Sequence, residues 1–558
     1  MQIGGSFVSE RESMSFDVVI VGAGVAGLSA AIRLKQCALA RGDEVSIVVL
    51  EKGSEIGAHV LSGAIIDPVG LDQLLPDWRT LGAPLQTRVA SEWLSVLTAR
   101  KSLDIPAFVL PRVTRHDHCY VGSLGALTKW LGEQAALLGV EIFPGFAAAE
   151  CLYDEAGALK GVATPDQGLD RQGQPTSGFM RGVELLGRTV IIAEGARGSL
   201  AGQLIKRFRL DEGCSPTKYA LGLKELWQIP ADLHRAGHVR HLTGWPLPRG
   251  VGGGGFVYHY GDNLVSLGLV VHADYKDPAL SPYDLLQRLK THPSLKSVLT
   301  GGKRIGYGAR TLSVGGFDAL PQAVFPGGML IGCAAGLFDM ARLKGVHNAI
   351  LSGIAAAQCC MESLQENSSV DELKSRYQAT LERVGVVKEL RAARKVKPLL
   401  ARYGPYAGGG LALLDLWSQQ IFKKSLPVSR LRGQSDRLMM RRGGGSPPPV
   451  PSWDGILSFD KPSSLGLAGV FHDENQPPHL VFRNPERQLQ NVHEYSLEPA
   501  QYYCPAGVYE LRDNEQSSPY IHISSSNCLH CKMCDIKDPA NNLKWTMPPS
   551  GGPTYVDM

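Results

Sequence analysis

Phe16-Asp-Val-Val-Ile-Val-Gly22-Ala-Gly24-Val-Ala-Gly27 runs from a β-branched hexapeptide straight into a glycine-rich turn. The apolar run has the length and composition of a buried parallel strand. An Ala- and Leu-rich stretch then reads as a helix to about Leu39, and Val45-Ser-Ile-Val-Val-Leu50 as a second strand ending at Glu51. Together they make a βαβ unit. Gly22 permits the tight turn, Gly24 lets the backbone approach a pyrophosphate, and Gly27 lets helix and strand pack closely. Glu51 is placed to accept hydrogen bonds from ribose hydroxyls. The reading is dinucleotide binding, against the alternative of a glycine-rich βαβ turn without a ligand.

Two later segments bear on which dinucleotide. Thr189-Val-Ile-Ile-Ala-Glu-Gly195-Ala-Arg-Gly198 and Gly327-Gly-Met-Leu-Ile-Gly332-Cys-Ala-Ala-Gly336 each read as a strand entering a glycine turn, the second leading into a helix from about His347 to Met361. Backbone-rich turns recurring this far apart suit an extended FAD better than a nicotinamide cofactor; ordinary strand-to-helix turns are the alternative. Between them, Val251-Gly-Gly-Gly-Gly255-Phe256 precedes an alternating strand from Leu264 to Val271. Such a glycine run suits either close backbone approach to a bulky ligand or a flexible hairpin tip.

The end of the chain carries Cys528, Cys531 and Cys534 in a C-x2-C-x2-C run, with Cys504-Pro505 upstream. Three thiolates at this spacing can hold one face of a cubane cluster, and a remote cysteine followed by proline supplies the fourth corner. A zinc staple is the competing reading, but zinc usually draws its cysteines from two separated C-x2-4-C knuckles. The remaining cysteines among the total of 11 have no secretory spacing, which fits a reducing compartment.

The 558 residues allow two to four domains, and a net charge of +4 without basic blocks gives no reason to expect nucleic acid. No apolar run is long enough to cross a bilayer, and Met1 to Ser15 lack the pattern of a signal peptide and of regular structure. Two segments are amphipathic enough to lie on a membrane: Ile65 to Trp78, with Asp67 as N-cap, Pro68 as first helical residue and Leu71, Leu74 and Leu75 on one face, and Leu411 to Lys424 around Trp417. A protein core is the commoner home for such stripes. Arg441 to Pro451 is a Gly/Pro-rich linker.

From about Phe16 to Met558 the chain resembles the electron transfer flavoprotein:ubiquinone oxidoreductase family. The likeness rests on the motifs above and on Gly57-Ala-His59-Val-Leu-Ser-Gly63-Ala, Gly222-Leu-Lys-Glu-Leu-Trp227, Gly244-Trp-Pro-Leu247, Gly301-Gly-Lys-Arg-Ile-Gly-Tyr-Gly-Ala-Arg310, Tyr503-Cys504-Pro505 and Asn527-Cys528-Leu-His-Cys531-Lys-Met-Cys534. The resemblance implies an α/β plus α+β architecture. Its parts would be an FAD-binding Rossmann-like domain of glutathione-reductase type (15–220 and 325–400), an intertwined β-rich quinone-binding domain (221–324), a helical and linker segment (401–449) and a C-terminal ferredoxin-like 4Fe-4S domain (450–558). It implies FAD, a 4Fe-4S cluster on Cys504, Cys528, Cys531 and Cys534, and ubiquinone against the backbone of Gly253 and Gly254. Electron transfer flavoprotein would be the donor, and the protein would sit on a membrane surface without spanning it, especially through the helix beginning near Pro68. The absence of a transit-type leader points to the cytoplasmic face of a bacterial inner membrane rather than the mitochondrial matrix face.

Several positions depart from the family pattern. Gly255 replaces a serine at the quinone turn, Asp339 replaces an asparagine near the flavin, and the loop from Ile105 to His118 is short. An amide donates a hydrogen bond that an ionised carboxylate cannot, so an Asp339 at the flavin implies a lowered flavin potential. Cys333 reads as a packing residue, and Lys344 and His347 match the family's Lys-Gly-x-His with the histidine read as structural. The competing functional readings are an FAD-dependent reductase of isoprenoid double bonds and a non-catalytic electron-relay subunit.

Overall fold

The computed structural model describes residues 11–62, 65–366, 368–427, 434–443, 452–514, 518–555 and 558. Gly63 of the Gly57 motif and residues 444–451 of the expected linker lie outside this set. An eight-stranded sheet forms around Ser13–Val21, which pairs in parallel with Glu184–Ile192 on one side and Ile47–Glu51 on the other. Val18, Val19 and Ile20 are fully buried, as strands covered on both faces require. The strand begins at Ser13, earlier than its sequence suggested, because Ser13, Met14 and Ser15 pair with Glu184, Leu185 and Leu186.

Helix Val25–Arg41 stops at Gly42, whose φ of 72° is left-handed. The largely buried helix Val346–Glu366 lies across it. A Cβ on Gly353 would fall 2.5 Å from the Ala26 carbonyl oxygen, so the two backbones nearly touch.

The second sheet has seven strands in the order Lys303–Ser313, Tyr219–Gln228, Leu264–His272, Gly253–Tyr260, His238–Gly244, Ser91–Leu97 and Ser102–Pro106. The last two fall inside the 15–220 range yet join this sheet, Ser91–Leu97 running parallel to His238–Gly244. Gly253, Gly254 and Gly255 are not a hairpin tip: they open a strand paired on both sides. The segment near Pro68 is also not a surface helix. Helix Val69–Leu74 buries Leu71 and Leu74 completely or nearly so, with Trp78 behind them, against the first domain's core.

Beyond residue 452 the chain forms short elements, including helix Pro485–Tyr495 and the hairpin Tyr509–Asp513 with Pro519–Ile523. Among the ties that join them to the second sheet is a network centred on Glu225, fully buried on strand Tyr219–Gln228. Its carboxylate accepts from Lys290 Nζ at 2.9 Å, Gln287 Nε2 at 3.0 Å, Arg304 Nη1 at 3.2 Å and Trp227 Nε1 at 2.9 Å. Arg304 Nη1 donates onward to Ser464 Oγ at 2.6 Å, and Tyr283 Oη donates to the Phe459 carbonyl at 2.8 Å.

Burial alone would raise the Glu225 carboxyl, but Lys290 and Arg304 outweigh it and hold it below the ordinary carboxylate value. Removing the acid strands two buried cations, which costs about 3–5 kcal/mol. Glu225→Ala should lose that much in urea unfolding at neutral pH. A carboxyl lowered on folding stabilises above its unfolded value and stops doing so as pH falls toward the folded one, so the gap should narrow below about pH 4.

Candidate functional site

The glycines of the first turn do three separate jobs. Gly22 has φ of +106°, and a Cβ there would lie 2.6 Å from the Ala193 carbonyl oxygen. A Cβ on Gly27 would lie 2.1 Å from the Gly22 carbonyl oxygen, while one on Gly24 would meet nothing within 4 Å. Helix Val25–Arg41 has neither a side-chain cap nor an acid in its first turn, so its free N–H groups face that open space. Glu51 carries the turn: Oε2 accepts from Ala23 N at 3.0 Å and Oε1 from Gly53 N at 2.8 Å. Gly332, with φ of +58°, presses on the same helix, its would-be Cβ 2.9 Å from Ala26 Cβ, and Gly336 closes the turn at φ of +78°. A pyrophosphate fits this cradle of open space and free amides.

Asp339 does not face the cavity. It is fully buried, with Oδ1 accepting from Ala341 N at 2.8 Å and Arg342 N at 3.2 Å, and with a backbone bridge to Lys344. Oδ2 is buried without a partner among the described residues, and burial pushes the carboxyl up.

Its neighbours Phe338 and Met340 help line a cavity of about 460 Å³. The floor is one face of the second sheet. Gly254 lies beside Val270, Val270 beside Gly222 and Gly222 beside Arg310. In the next row His241 faces Phe256, Phe256 faces Gly268 and Gly268 faces Lys224. Gly255 lends its backbone to the cavity, but a Cβ there would point to the opposite face, 3.0 Å from Leu289, so the missing side chain would start away from the cavity.

Cys504, Cys528, Cys531 and Cys534 are all buried and reduced. Thr311 Oγ1 donates to the Cys531 carbonyl at 2.9 Å, and Tyr307 Oη donates to the Pro505 carbonyl at 2.9 Å. Both donors lie on strand Lys303–Ser313, whose Arg310 and Leu312 line the cavity. One strand therefore separates the cysteines from the cavity.

Burial, with the other thiolates adding to it, pushes the Cys528, Cys531 and Cys534 thiols up, so only a strongly cationic group would hold them as thiolates. The three sets of His, Cys, Asp or Glu whose ligand atoms converge within 4.8 Å among the described residues include none of these four. A single tetrahedral zinc with Zn–S bonds of about 2.3 Å would draw its sulfurs to about 3.8 Å apart. The wider spread fits a many-centred cluster better than the zinc staple. Lys52, next to Glu51, reaches His530 Nδ1 at 2.9 Å, and Arg197 pairs with Asp535 at 2.7 Å, so the nucleotide end touches the cysteine end.

Sequence reading missed two buried polar groups. Helix Val69–Leu74 starts one residue later than expected, with Pro68 at the N-cap and no side-chain cap; Asp67 precedes it, accepting from Val69 N at 3.2 Å and binding Arg342 and Lys344, and Arg342 continues to Glu389 at 2.7 Å, which accepts from His347 at 2.9 Å. The matched Lys344 and His347 thus anchor this network. Glu92, His116 and His241 meet on the cavity wall from three distant parts of the chain.

The electron transfer flavoprotein-ubiquinone oxidoreductase of Pseudomonas aeruginosa is 44% identical over 553 residues, covering 98% of this chain and all of that protein. The chain belongs to this family. The human mitochondrial electron transfer flavoprotein-ubiquinone oxidoreductase is 42% identical, covering 98% of this chain and 90% of that protein. Residues 219–312 match the description "ETF-QO, ubiquinone-binding", and residues 455–556 match "Electron transfer flavoprotein-ubiquinone oxidoreductase, 4Fe-4S". Residues 20–75 match an NAD(P)-binding Rossmann-like domain.

The electron transfer flavoprotein-ubiquinone oxidoreductase family thus accounts for an FAD-binding α/β domain, a quinone-binding domain and a ferredoxin-type 4Fe-4S domain in one oxidoreductase. In fold alone, the chain is similar to a geranylgeranyl bacteriochlorophyll reductase-like protein from Thermoplasma acidophilum, with TM-score 0.56 at 18% identity over 74% of this chain and 98% of that one.

Gly22→Ala should cut flavin content sharply, read as absorbance near 450 nm per protein. Gly202→Ala, on a helix with nothing within 4 Å of the new Cβ, should leave it unchanged and add about 0.5–1 kcal/mol of stability.

Proposed function

We propose that this protein takes electrons from reduced electron transfer flavoprotein and delivers them to ubiquinone in the cavity over Gly253 and Gly254. Cys504, Cys528, Cys531 and Cys534 would hold the 4Fe-4S cluster, and the turn built from Gly22, Gly24, Gly27, Glu51, Gly332 and Gly336 would hold FAD. Asp339 braces the turn after Gly336 through Oδ1, with Oδ2 left without a partner among the described residues. The observation that carries the reading is strand Lys303–Ser313, with Thr311 on the cysteine segment and Arg310 and Leu312 on the cavity. Cluster and flavin supply the electron-carrying chemistry when bound; the chain positions them and excludes water.

The cavity opens at a greasy surface. Tyr406 lines it and is itself 56% exposed. Phe108 and Val109 precede the lining residue Leu110, and Leu414, Ile421 and Phe422 stand exposed on helix Val396–Phe422 ahead of Lys423 and Lys424. Arg112 N donates to Gln420 Oε1 at 2.8 Å, tying the two apolar segments together. No helix among the described residues is long and apolar enough to cross a membrane. An apolar patch edged by cations at the cavity mouth supports peripheral binding to an inner membrane, with quinone entering from the lipid. The Leu411 to Lys424 segment thereby takes the role expected of the helix near Pro68. Neither an isoprenoid reductase nor a bare relay uses both the cluster domain and the quinone domain.

Cys531→Ala should abolish the cluster's EPR signal while leaving flavin absorbance. Reduced electron transfer flavoprotein should reduce a soluble ubiquinone analogue with the wild type, and failure with both cofactors loaded would overturn the function. In liposome flotation, Phe108→Glu with Phe422→Glu should leave the protein at the bottom of the gradient.

A further inference from the structure

Quinone becomes quinol by taking two electrons and two protons, and a dry cavity must contain the proton donors. Two sets of groups on the cavity wall have the required chemistry. Lys224 is 2% exposed, lines the cavity, and its Nζ has no hydrogen-bond partner among the described residues. Burial alone pulls this ammonium down to about 7. An unpaired buried cation aimed into an apolar cavity is costly until a ligand acceptor meets it. Lys224 lies one same-face step along, about 7 Å, and two strands across, about 10 Å, from Gly254, so its long side chain meets the far edge of a ring that extends from that glycine over the floor.

The second set begins at His116. Its Nε2 faces the Arg342 carbonyl at 2.9 Å, and a carbonyl only accepts, so Nε2 carries a hydrogen. Its Nδ1 faces Glu92 Oε1, where a hydrogen bond to a carboxyl oxygen again needs a proton between the atoms. The two acceptors place a proton on each nitrogen, while burial pulls the His116 imidazole down to about 4, so the pair shares one proton that it gives up readily. His116 N donates to Glu92 Oε2 at 2.8 Å and fixes the carboxyl in place. On its other side Glu92 Oε1 lies 3.5 Å from His241 Nε2, and His241 Nδ1 lies 3.4 Å from the Tyr258 hydroxyl. Tyr258 lines the cavity two residues along from Phe256 and stacks on it at 4.7 Å. These side chains line up from a proton store to the cavity, with one gap at His241 Nε2, which makes no hydrogen bond among the described residues and must close on Glu92 for the proton to pass.

We propose that the two quinol protons enter from opposite ends of one row of the cavity floor: one passes along His116, Glu92, His241 and Tyr258, and the other comes from Lys224. The proposal rests on the cavity being the quinone site. The electrons arrive by the established route, and only O–H bonds form on the ring. Tyr258 gives its hydroxyl proton to one ring oxygen and takes one from His241 Nδ1, while His241 takes one at Nε2 from the Glu92–His116 pair. That pair is left as carboxylate and neutral imidazole. Lys224 gives the second proton and becomes a neutral amine. Water restores both donors once quinol has left.

The test uses the full-length holoenzyme with reduced electron transfer flavoprotein and two acceptors: a soluble ubiquinone analogue, which needs protons, and ferricenium, which takes electrons without them. Tyr258→Phe and Lys224→Met should each lower kcat for the quinone at least tenfold relative to ferricenium, with quinone KM within about twofold. Flavin absorbance and the cluster EPR signal confirm that both variants are folded and loaded.

Lys224→Arg keeps the charge but releases no proton, since a guanidinium stays protonated in proteins. It should be as slow as the methionine variant, and recovery with arginine would overturn the donor role. Equal losses with both acceptors, no loss, or a rise confined to KM would also overturn the proposal. Gly222→Leu places a side chain in the cavity where a Cβ meets only ordinary contacts, the nearest at 3.5 Å. It should raise quinone KM; an unchanged KM would sink the quinone-site reading itself, whatever the donor variants do.

Discussion

The molecule is organised around a shared wall, strand Lys303–Ser313, and the wall stands because Glu225 holds it. Three buried donors from a helix and a neighbouring strand converge on that carboxylate, and one of them, Arg304, reaches into the cluster domain through Ser464. A buried ion pair of this kind adds little to net stability compared with an apolar core, but any arrangement that parts its members leaves a buried charge uncompensated. The arrangement here puts cysteines on one side of a single strand and the cavity on the other.

The local parts of this design were legible in the sequence. A βαβ turn is contiguous, so Gly22, Gly24, Gly27 and Glu51 could be assigned to one site from spacing, and each glycine has the steric reason expected of it. The cysteine run is contiguous too, and Cys504 needed only one long-range step. The cavity's polar groups were not legible for the converse reason. Glu92, His116 and His241 are brought together by the parallel pairing of Ser91–Leu97 with His238–Gly244, a contact across more than a hundred residues that no local pattern announces.

Patterning rightly favoured a core for the stripe near Pro68, and the family resemblance shifted it toward the membrane, because one period serves both environments. The stripe of Leu71, Leu74 and Trp78 looks the same whether it faces lipid or a core, and the fold places it in the core. Asp339 was read from its family position as a flavin contact, but its carboxylate turns back to brace its own loop. Gly255 was read as a change at the quinone; its backbone lines the cavity, but its missing side chain would start on the sheet's other face. In both cases strand parity or a tight turn decided the direction of the side chain, and neither can be seen without the register.

The contacts of Lys52 with His530 and of Arg197 with Asp535 join residues beside the nucleotide turn to residues between the cluster cysteines. Each contact spans the boundary between the two cofactor domains, so neither can swing away from the other without giving one of them up, and the spacing of the two centres is pinned from both ends of the nucleotide turn.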